Sequence, residues 1–310
     1  MLTLLAKRGG YTLLLALICS LGVFLLFDAA KDQAALAKLG PLATPEQVQL
    51  WLAQNGYGRP VMARYGEWLA AVAHGDLGAS SLFRAPVNEV LWPRFGRSLI
   101  LLLFFFAIMT PIAIALGVLS GMKEGSRLDR VISLLSVITT STPSFVTAVL
   151  LSAIFVFWLH WAPGVSAMFD GFRFSELALP VAVLVLGDVG YIARLTRASV
   201  IEAMAAPYIR AAILKGVPFR RVVTRHALRN ALVAPFTAIM LQVNWAVGGL
   251  AVVEAAFAYK GIGSLLVLAA SVKDLNLELA CVILMVVVTG VTQMAADLGY
   301  MVLIPSARAR

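Results

Sequence analysis

The chain has 310 residues, of which 61% are hydrophobic and only 13% are charged, about half the charged fraction of a typical soluble domain. A soluble protein of this length could not bury so much apolar surface, and several apolar runs approach the roughly 20 residues that cross a bilayer. The composition therefore excludes a soluble globular protein and predicts a polytopic membrane protein. The net charge of +9 is concentrated beside the apolar runs, as the positive-inside rule expects, so it indicates no nucleic-acid partner.

The apolar runs predict an all-α protein with about six transmembrane helices. The first run follows Lys7 and Arg8 and could also be a cleaved signal peptide, although it is somewhat long for one. The third run contains Pro143, which should bend its helix because proline removes a backbone hydrogen bond. The six predicted spans cover residues 11–27, 98–119, 131–160, 177–192, 231–257 and 279–304.

These spans divide the chain into three predicted parts. Residues 1–30 form an N-terminal transmembrane helix, and residues 31–97 form an extracytoplasmic segment. That segment is polar and contains helix-like stretches, and its aromatic residues suit a membrane interface. Residues 98–310 form a five-helix core with a cytoplasmic loop at residues 199–229.

The loop charges predict the orientation of the chain. The loops at residues 121–130 and 194–229 are basic, and they fall on the same side as the N-terminus when six spans are counted. Since basic loops stay in the cytoplasm, both termini are expected to be cytoplasmic.

The most basic stretch, residues 207–235, reads PYIRAAILKGVPFRRVVTRHALRNALVAP. Pro207 suits the first turn of a helix, where its missing N–H costs nothing. Gly216 after Lys215 is typical of a helix end, where glycine adopts a left-handed conformation. Pro218 can begin a second helix that runs into the fifth predicted span. The pattern predicts a helix–turn–helix on the cytoplasmic face.

Apolar side chains at helical spacing are flanked by cations in this hairpin, which allows two interpretations. It could be an amphipathic element resting on anionic lipid headgroups, or a docking element that enters a groove of a soluble partner. The apolar positions are Tyr208, Ile209, Ala212, Ile213, Phe219, Val222 and Val223, and the cations are Arg210, Lys215, Arg220, Arg221, Arg225 and Arg229.

Several spacings in and around this hairpin match a known family. Arg210-Ala211-Ala212-x-x-x-Gly216 falls on an E-A-A-x3-G loop motif, and YIRAAILKG is followed by RHALRNAL. Together these stretches resemble the ATPase-coupling loop of ABC importer permeases in the dipeptide/oligopeptide/nickel group, close to the first of that group's two permease subunits. Further matches are Gly75-Asp76-Leu77-Gly78-x-Ser80, Pro86-Val87, Arg94 and Arg194-Leu195-Thr196-Arg197-Ala198-Ser199.

The sequence departs from the pattern of that group at several turns. Arg210 stands where the loop motif opens with glutamate, and Pro207 replaces an aspartate. A proline–glycine–aspartate–proline turn is replaced by Phe27-Asp28-Ala29-Ala30, and a later arginine–aspartate–tyrosine–proline by Lys273-Asp274-Leu275-Asn276. These changes leave the coupling interpretation intact but leave the substrate open. Peptides are the first candidate, followed by nickel chelates, opines and glutathione-like compounds.

The resemblance implies the type I ABC importer fold and a permease subunit of a bacterial inner membrane, surrounded by lipid. The implied partners are a second homologous permease, two cytoplasmic ABC ATPases and an extracytoplasmic substrate-binding protein. Because the chain has no G-x-x-x-x-G-K-[ST] phosphate loop, ATP and Mg²⁺ are expected on the ATPases. We expect no catalytic residue, cofactor or metal site in this chain. The implied coupling residues are Tyr208, Ile209, Arg210, Ala211, Ala212, Lys215, Gly216, Phe219 and Arg225.

Polar side chains inside the predicted spans are candidates for the translocation path, since polar groups in lipid are costly and often functional. The candidates are Asp188, Gln242 and Asn244. Each could instead be structural. Asp188 could pair with a neighbouring span or reach towards Arg194, and the two amides could hydrogen-bond between spans.

Two other functions are weighed against the importer. A secondary transporter could use an ion gradient through Asp188, Glu254 and Asp297, but it would need no basic docking loop, and these carboxylates show no inverted-repeat arrangement. A membrane-embedded enzyme would require a cluster of reactive side chains within the spans, and the sequence contains no such pattern.

Overall fold

A computed structural model describes residues 2–168 and 171–303, and most of them are helical, which confirms the predicted all-α class. Within these ranges, four helices are long and apolar enough to cross a membrane, and two bent helix pairs bring the number of candidate spans to as many as six. The four long helices are α1 (Leu2–Ala29), α5 (Val87–Met122), α8 (Phe174–Ala205) and α14 (Leu275–Leu303).

The extracytoplasmic segment of the prediction contains three helices and a short hairpin. Thr44 caps the second of these helices, because its side chain accepts the Gln47 N–H while the Gln47 side chain accepts the Thr44 N–H. The helix-like stretches of the prediction are therefore confirmed. The elements are α2 (Lys31–Leu39), α3 (Pro45–Gln54), α4 (Val61–Ala73), and the antiparallel strands β1 (Ala79–Ser80) and β2 (Ala85–Pro86).

Pro143 breaks the third predicted span. Helix α6 (Arg127–Ser141) ends there, and α7 (Ser144–Ser152) continues at an angle of 103° through a π-helical segment, Ala153–Trp158. The predicted bend is confirmed, but the prediction of one helix over residues 131–160 is wrong. The reason is local, since Thr142 before the proline is extended at ψ 122° and cannot continue the helix.

The region between the last two spans differs from the prediction. Helix α12 (Val233–Ala256) corresponds to the fifth predicted span, but α13 (Ile262–Ser271) lies where only a loop was expected. A mostly apolar run of ten residues is too short to cross a bilayer, so its length does not predict a transmembrane span. The sixth span, α14, was predicted to end at Ile304, which lies outside the described residues.

By its internal contacts the chain groups into two compact units, residues 1–98 with 260–291 and residues 99–259 with 292–310. The first unit has a core of buried side chains from α5, α13 and α14, and Val87, Leu265 and Leu277 are fully buried there. The three-part division into residues 1–30, 31–97 and 98–310 stays a prediction.

Candidate functional site

The basic hairpin begins with helix α9 (Pro207–Leu214), which ends in a glycine turn. Gly216 has φ +74°, and its N–H donates to the Ile213 carbonyl at 2.9 Å, while the Val217 N–H donates to the Ala212 carbonyl at 3.2 Å. These two bonds form a Schellman motif, in which a left-handed residue satisfies the last helical carbonyls. The predicted left-handed glycine after Lys215 is confirmed.

A second helical stretch follows Pro218 and leads into α12, as the sequence predicted. It consists of α10 (Phe219–Arg221), a π-helical segment (Val222–Ala227) and α11 (Leu228–Ala231). Only Leu232 separates it from α12. In a π-helical turn each backbone hydrogen bond spans five residues instead of four, and this turn was not predicted from the sequence.

Two apolar side chains fix the hairpin to the end of α8. Ile209 and Val222 are buried, and they pack with Val200 and Ala203 of α8. The Asn230 side-chain amide also donates to the Tyr208 hydroxyl at 3.1 Å, which joins α11 to α9. Because α8 contacts both helical arms of the hairpin, the hairpin is a firmly packed extension of that helix.

The outer surface of the hairpin exposes apolar side chains among cations. Leu214 is 87% exposed, Phe219 58% and Ile213 49%. The apolar positions predicted for the hairpin therefore divide into an inner set with Ile209 and an outer set with Ile213 and Phe219. Leu214 does not share the helical spacing of those positions, so the sequence did not single it out. The surrounding exposed residues are Tyr208, Arg210, Ala211, Lys215, Arg220, Arg221, Arg225 and Arg229, and Ala212 is half-buried.

Helices α8 and α12 line an elongated cavity of about 1,100 Å³, which we call the groove. On α12 the lining residues recur at helical spacing from Val233 to Trp245, and on α8 they fall in two groups, near Asp188 and near Glu202, that share one helical face. The stretch from Asp188 to Ala206 spans 18 residues, or about 27 Å at the helical rise. The lining includes Thr140, Asp188, Tyr191, Ser199, Glu202, Tyr208, Asn230, Thr237, Leu241, Gln242 and Trp245.

The structure brings two of the three predicted path residues together in this groove. The Gln242 side-chain amide donates to the Asp188 carboxylate, and both residues line the groove. The pairing and path-lining interpretations of Asp188 are therefore compatible, and the partner of Asp188 is Gln242 of α12, a neighbouring helix. The side chain of Asn244 lies outside the described residues.

Glu202 and Tyr191 are groove residues that the sequence did not single out. Glu202 falls within the predicted cytoplasmic loop at residues 194–229, because the apolar run of the fourth span ends near Ile192. A signal was available in the spacing, since 188, 191, 199 and 202 fall on one helical face if the helix continues through Arg194 and Arg197.

The Gly75–Ser80 motif forms a second polar cluster in the other unit. Asp274 is buried and accepts the Ser80 hydroxyl at 2.7 Å and the Leu82 N–H at 3.0 Å. The Asn276 amide donates to the Ala79 carbonyl at 3.0 Å. Residues 273–276, where the sequence departs from the pattern of the permease group, therefore hold the Gly75–Ser80 motif through hydrogen bonds.

Comparison with known proteins agrees with this arrangement. Residues 113–309 match the family model "binding-protein-dependent transport system inner membrane component", and residues 1–115 match the model of the N-terminal part of such membrane components.

Named relatives match over nearly the whole chain. A protein of Brucella abortus (strain 2308), named for a peptide transport system permease, is 35% identical over 281 residues, 89% of each chain. One of Brucella suis biovar 1, named for a peptide permease, is 31% identical over 305 residues, 96% of this chain and 95% of the relative. The oligopeptide transport system permease protein AppB of Bacillus subtilis (strain 168) is 29% identical over 289 residues, 91% and 92% of the two chains. The chain belongs to the family of inner-membrane permease components of binding-protein-dependent ABC importers.

Proposed function

We propose that this permease forms half of the translocation path of a bacterial importer that carries peptides or a related small solute, such as a nickel chelate, an opine or a glutathione-like compound. Its partners would be a second homologous permease, two cytoplasmic ABC ATPases and an extracytoplasmic substrate-binding protein. ATP and Mg²⁺ would bind to the ATPases. Both termini would lie in the cytoplasm, as the basic loops favour.

The proposed coupling role rests on how the hairpin is packed. Its inner side chains, Ile209 and Val222, are buried against α8, while Leu214 and Phe219 are exposed. A free helix on a membrane needs no such anchoring. A short helix that presents apolar side chains and cations from a rigid base suits insertion into a groove of a soluble partner.

This packing suggests how ATP-driven movement would reach the path. When the ATPases close, a docked α9 would be displaced with them. Since α9 is fixed to α8 through Ile209, and α8 lines the groove, the displacement would move a groove wall as a rigid body. Tyr208 belongs to both the hairpin and the groove lining, so the two sites are adjacent.

The proposal is tested by substituting the glycine that closes α9. Gly216→Val places a branched side chain at φ +74°, which costs roughly 1–2 kcal/mol or more and disturbs the Schellman turn. We expect the reconstituted complex to keep hydrolysing ATP while uptake falls about tenfold or more. Gly56→Val is the matched control, since Gly56 has φ +76° in a similar glycine turn after α3, and uptake by this variant should stay near that of the wild type.

Two results would contradict the proposal. Normal uptake by the Gly216→Val complex would show that the hairpin turn does not transmit movement. Uptake driven by an ion gradient in vesicles that contain the chain without ATPases would instead support the secondary-transporter alternative.

A further inference from the structure

The charged side chains among the described lining residues of the groove all carry the same sign. Among its described lining residues, Asp188 and Glu202 are acidic, and none is lysine or arginine. This is unexpected in a chain with a net charge of +9. The two carboxylates are 14 residues apart on α8, which corresponds to about 21 Å along the helix. They therefore lie towards opposite ends of the groove and do not form one cluster.

The surroundings of Asp188 are suited to a cation. Gln242 donates to its Oδ1, and an ionised carboxylate has two oxygens and about four acceptor positions, so acceptor capacity remains. Tyr191 and Trp245 line the same groove and are 45% and 77% exposed. Aromatic faces attract ammonium and guanidinium groups within about 6 Å of the ring.

The other end of the groove repeats this chemistry in a more open setting. Glu202 is exposed and lines the groove with Ser199, Tyr208 and Asn230. Between the two ends the α12 wall presents Ala234, Thr237 and Ala238 and no charged side chain among the described residues. Low-dielectric walls strengthen the field of a nearby carboxylate.

We infer that the groove selects for solutes that carry a positive charge, such as the terminal ammonium or a basic side chain of a peptide, and disfavours anionic ones. Asp188 is the main specificity-determining residue, and Glu202 is a second contact nearer the hairpin. This inference rests on the proposed function, because it names the class of substrate that the path accepts.

Thiol labelling tests the charge preference without relying on transport. Leu241 lines the groove one position from Gln242 and is 45% exposed. We would introduce Leu241→Cys into the full chain after replacing Cys19 and Cys281 with serine. Its modification rates by a cationic and an anionic methanethiosulfonate reagent would then be compared. In the Asp188→Asn background we expect the cationic-to-anionic rate ratio to fall about tenfold, since one nearby charge is removed.

Uptake by the reconstituted complex provides the second readout. The probes are Ala-Lys-Ala, Ala-Ala-Ala and Ala-Glu-Ala, and the same binding protein is used throughout, so a change in ratio reports the permease. Asp188→Asn should reduce the Ala-Lys-Ala to Ala-Glu-Ala uptake ratio about tenfold, and Glu202→Gln about threefold. Glu89→Gln, an exposed carboxylate in the other unit, removes the same charge and should leave the ratio unchanged.

The outcomes separate the two proposals. If Asp188→Asn slows all three peptides equally and leaves the labelling ratio unchanged, Asp188 is structural and the charge inference is overturned while the importer stands. If the labelling ratio falls but no peptide enters, the groove selects cations and the peptide assignment is wrong.

Discussion

Arg197 of α8 holds both carboxylate oxygens of Asp129 in α6. Its Nε lies 2.6 Å from Oδ1 and its Nη2 lies 2.8 Å from Oδ2. The Ser120 hydroxyl at the end of α5 and the Gly125 N–H also donate to this carboxylate. One nearly buried aspartate therefore joins α5, α6 and α8 at the end of α8 that supports the hairpin.

Removal of this charge should destabilise the chain. In Asp129→Asn the amide nitrogen cannot accept, so one Arg197 donor loses its partner. We expect a loss of about 2–3 kcal/mol, less than the 3–5 kcal/mol of a fully buried pair, because the Arg197 side chain remains 29% exposed. Thermal unfolding in mild detergent should show a decrease in Tm of about 3–5 °C for a chain of this length.

Arg130→Gln is the control, because Arg130 lies next to Asp129 in α6 but is exposed. Its effect should stay within about 0.5 kcal/mol. Equal losses in both variants would mean that the Asp129–Arg197 pair contributes nothing specific.

A glycine in α5 allows the close approach of α8. A Cβ on Gly117 would lie 2.5 Å from the Ala193 carbonyl oxygen and 2.8 Å from Thr196 Cγ2. A Cβ on Gly121, one turn further along α5, would also collide with α8. Gly117 and Gly121 therefore form the small-xxx-small pattern that allows membrane helices to pack closely. Gly117→Val should sharply reduce the yield of monodisperse protein, because the two helices must separate.

Gly96→Val is the matched control for Gly117→Val. Gly96 lies in the same helix, and a Cβ there would have nothing within 4 Å. Chromatography in detergent should show near-normal yield for Gly96→Val. Similar losses in both variants would show that valine in α5 is harmful by itself.

The Asp129–Arg197 pair explains why the sequence predicted α8 too short. The apolar run ends near Ile192, and Arg194 and Arg197 look like the start of a polar loop. The helix nevertheless continues to Ala205, because Arg197 has a buried partner that is 68 residues away in sequence. A contact at that separation has no local signal, and the helical spacing of Glu202 with Asp188 and Ser199 indicates a shared face only once the helix is known to continue.

The sequence predicted the structure more accurately at positions where one residue type restricts the backbone dihedral angles. Pro143, Pro207 and Gly216 fix or permit specific dihedral angles, and each was placed correctly from the sequence. The angle at Pro143 could not be predicted, since it depends on how α6 and α7 pack against α8. Burial on the hairpin could not be predicted either, because Ile209 and Ile213 are equally apolar, and only the position of α8 distinguishes them.

Gly78 should resist substitution for two reasons. Its φ is +78°, and a Cβ there would lie 2.8 Å from Nδ2 of Asn276. Gly78→Ala should therefore displace Asn276 and weaken its bond to the Ala79 carbonyl. Limited proteolysis of right-side-out vesicles should cleave this motif faster than in the wild type, by about fivefold for a loss near 1 kcal/mol.

Gly40→Ala is a control for the general effect of adding a Cβ to a glycine with a positive φ. Gly40 also has a positive φ, +97°, but a Cβ there would have nothing within 4 Å. Faster cleavage at the Gly78 motif in Gly78→Ala alone would show that the effect is specific to this turn, and equally fast cleavage in Asn276→Ala would assign it to the lost bond to the Ala79 carbonyl. Unchanged cleavage in Gly78→Ala would mean that the motif tolerates both the strain and the contact.

Leu214 offers the sharpest distinction between a docked hairpin and one that rests on lipid. It is 87% exposed on α9, so Leu214→Asp should not disturb the fold, but it would place a charge in an apolar groove of a partner. On the proposed function, co-purification of the ATPase in mild detergent should fall at least tenfold, since burial of an unpaired charge is costly. Leu42→Asp is the control, because Leu42 is 94% exposed in the predicted extracytoplasmic segment. If the ATPase stayed bound to the Leu214→Asp protein while its hairpin lost affinity for anionic vesicles, the headgroup interpretation would replace the docking one.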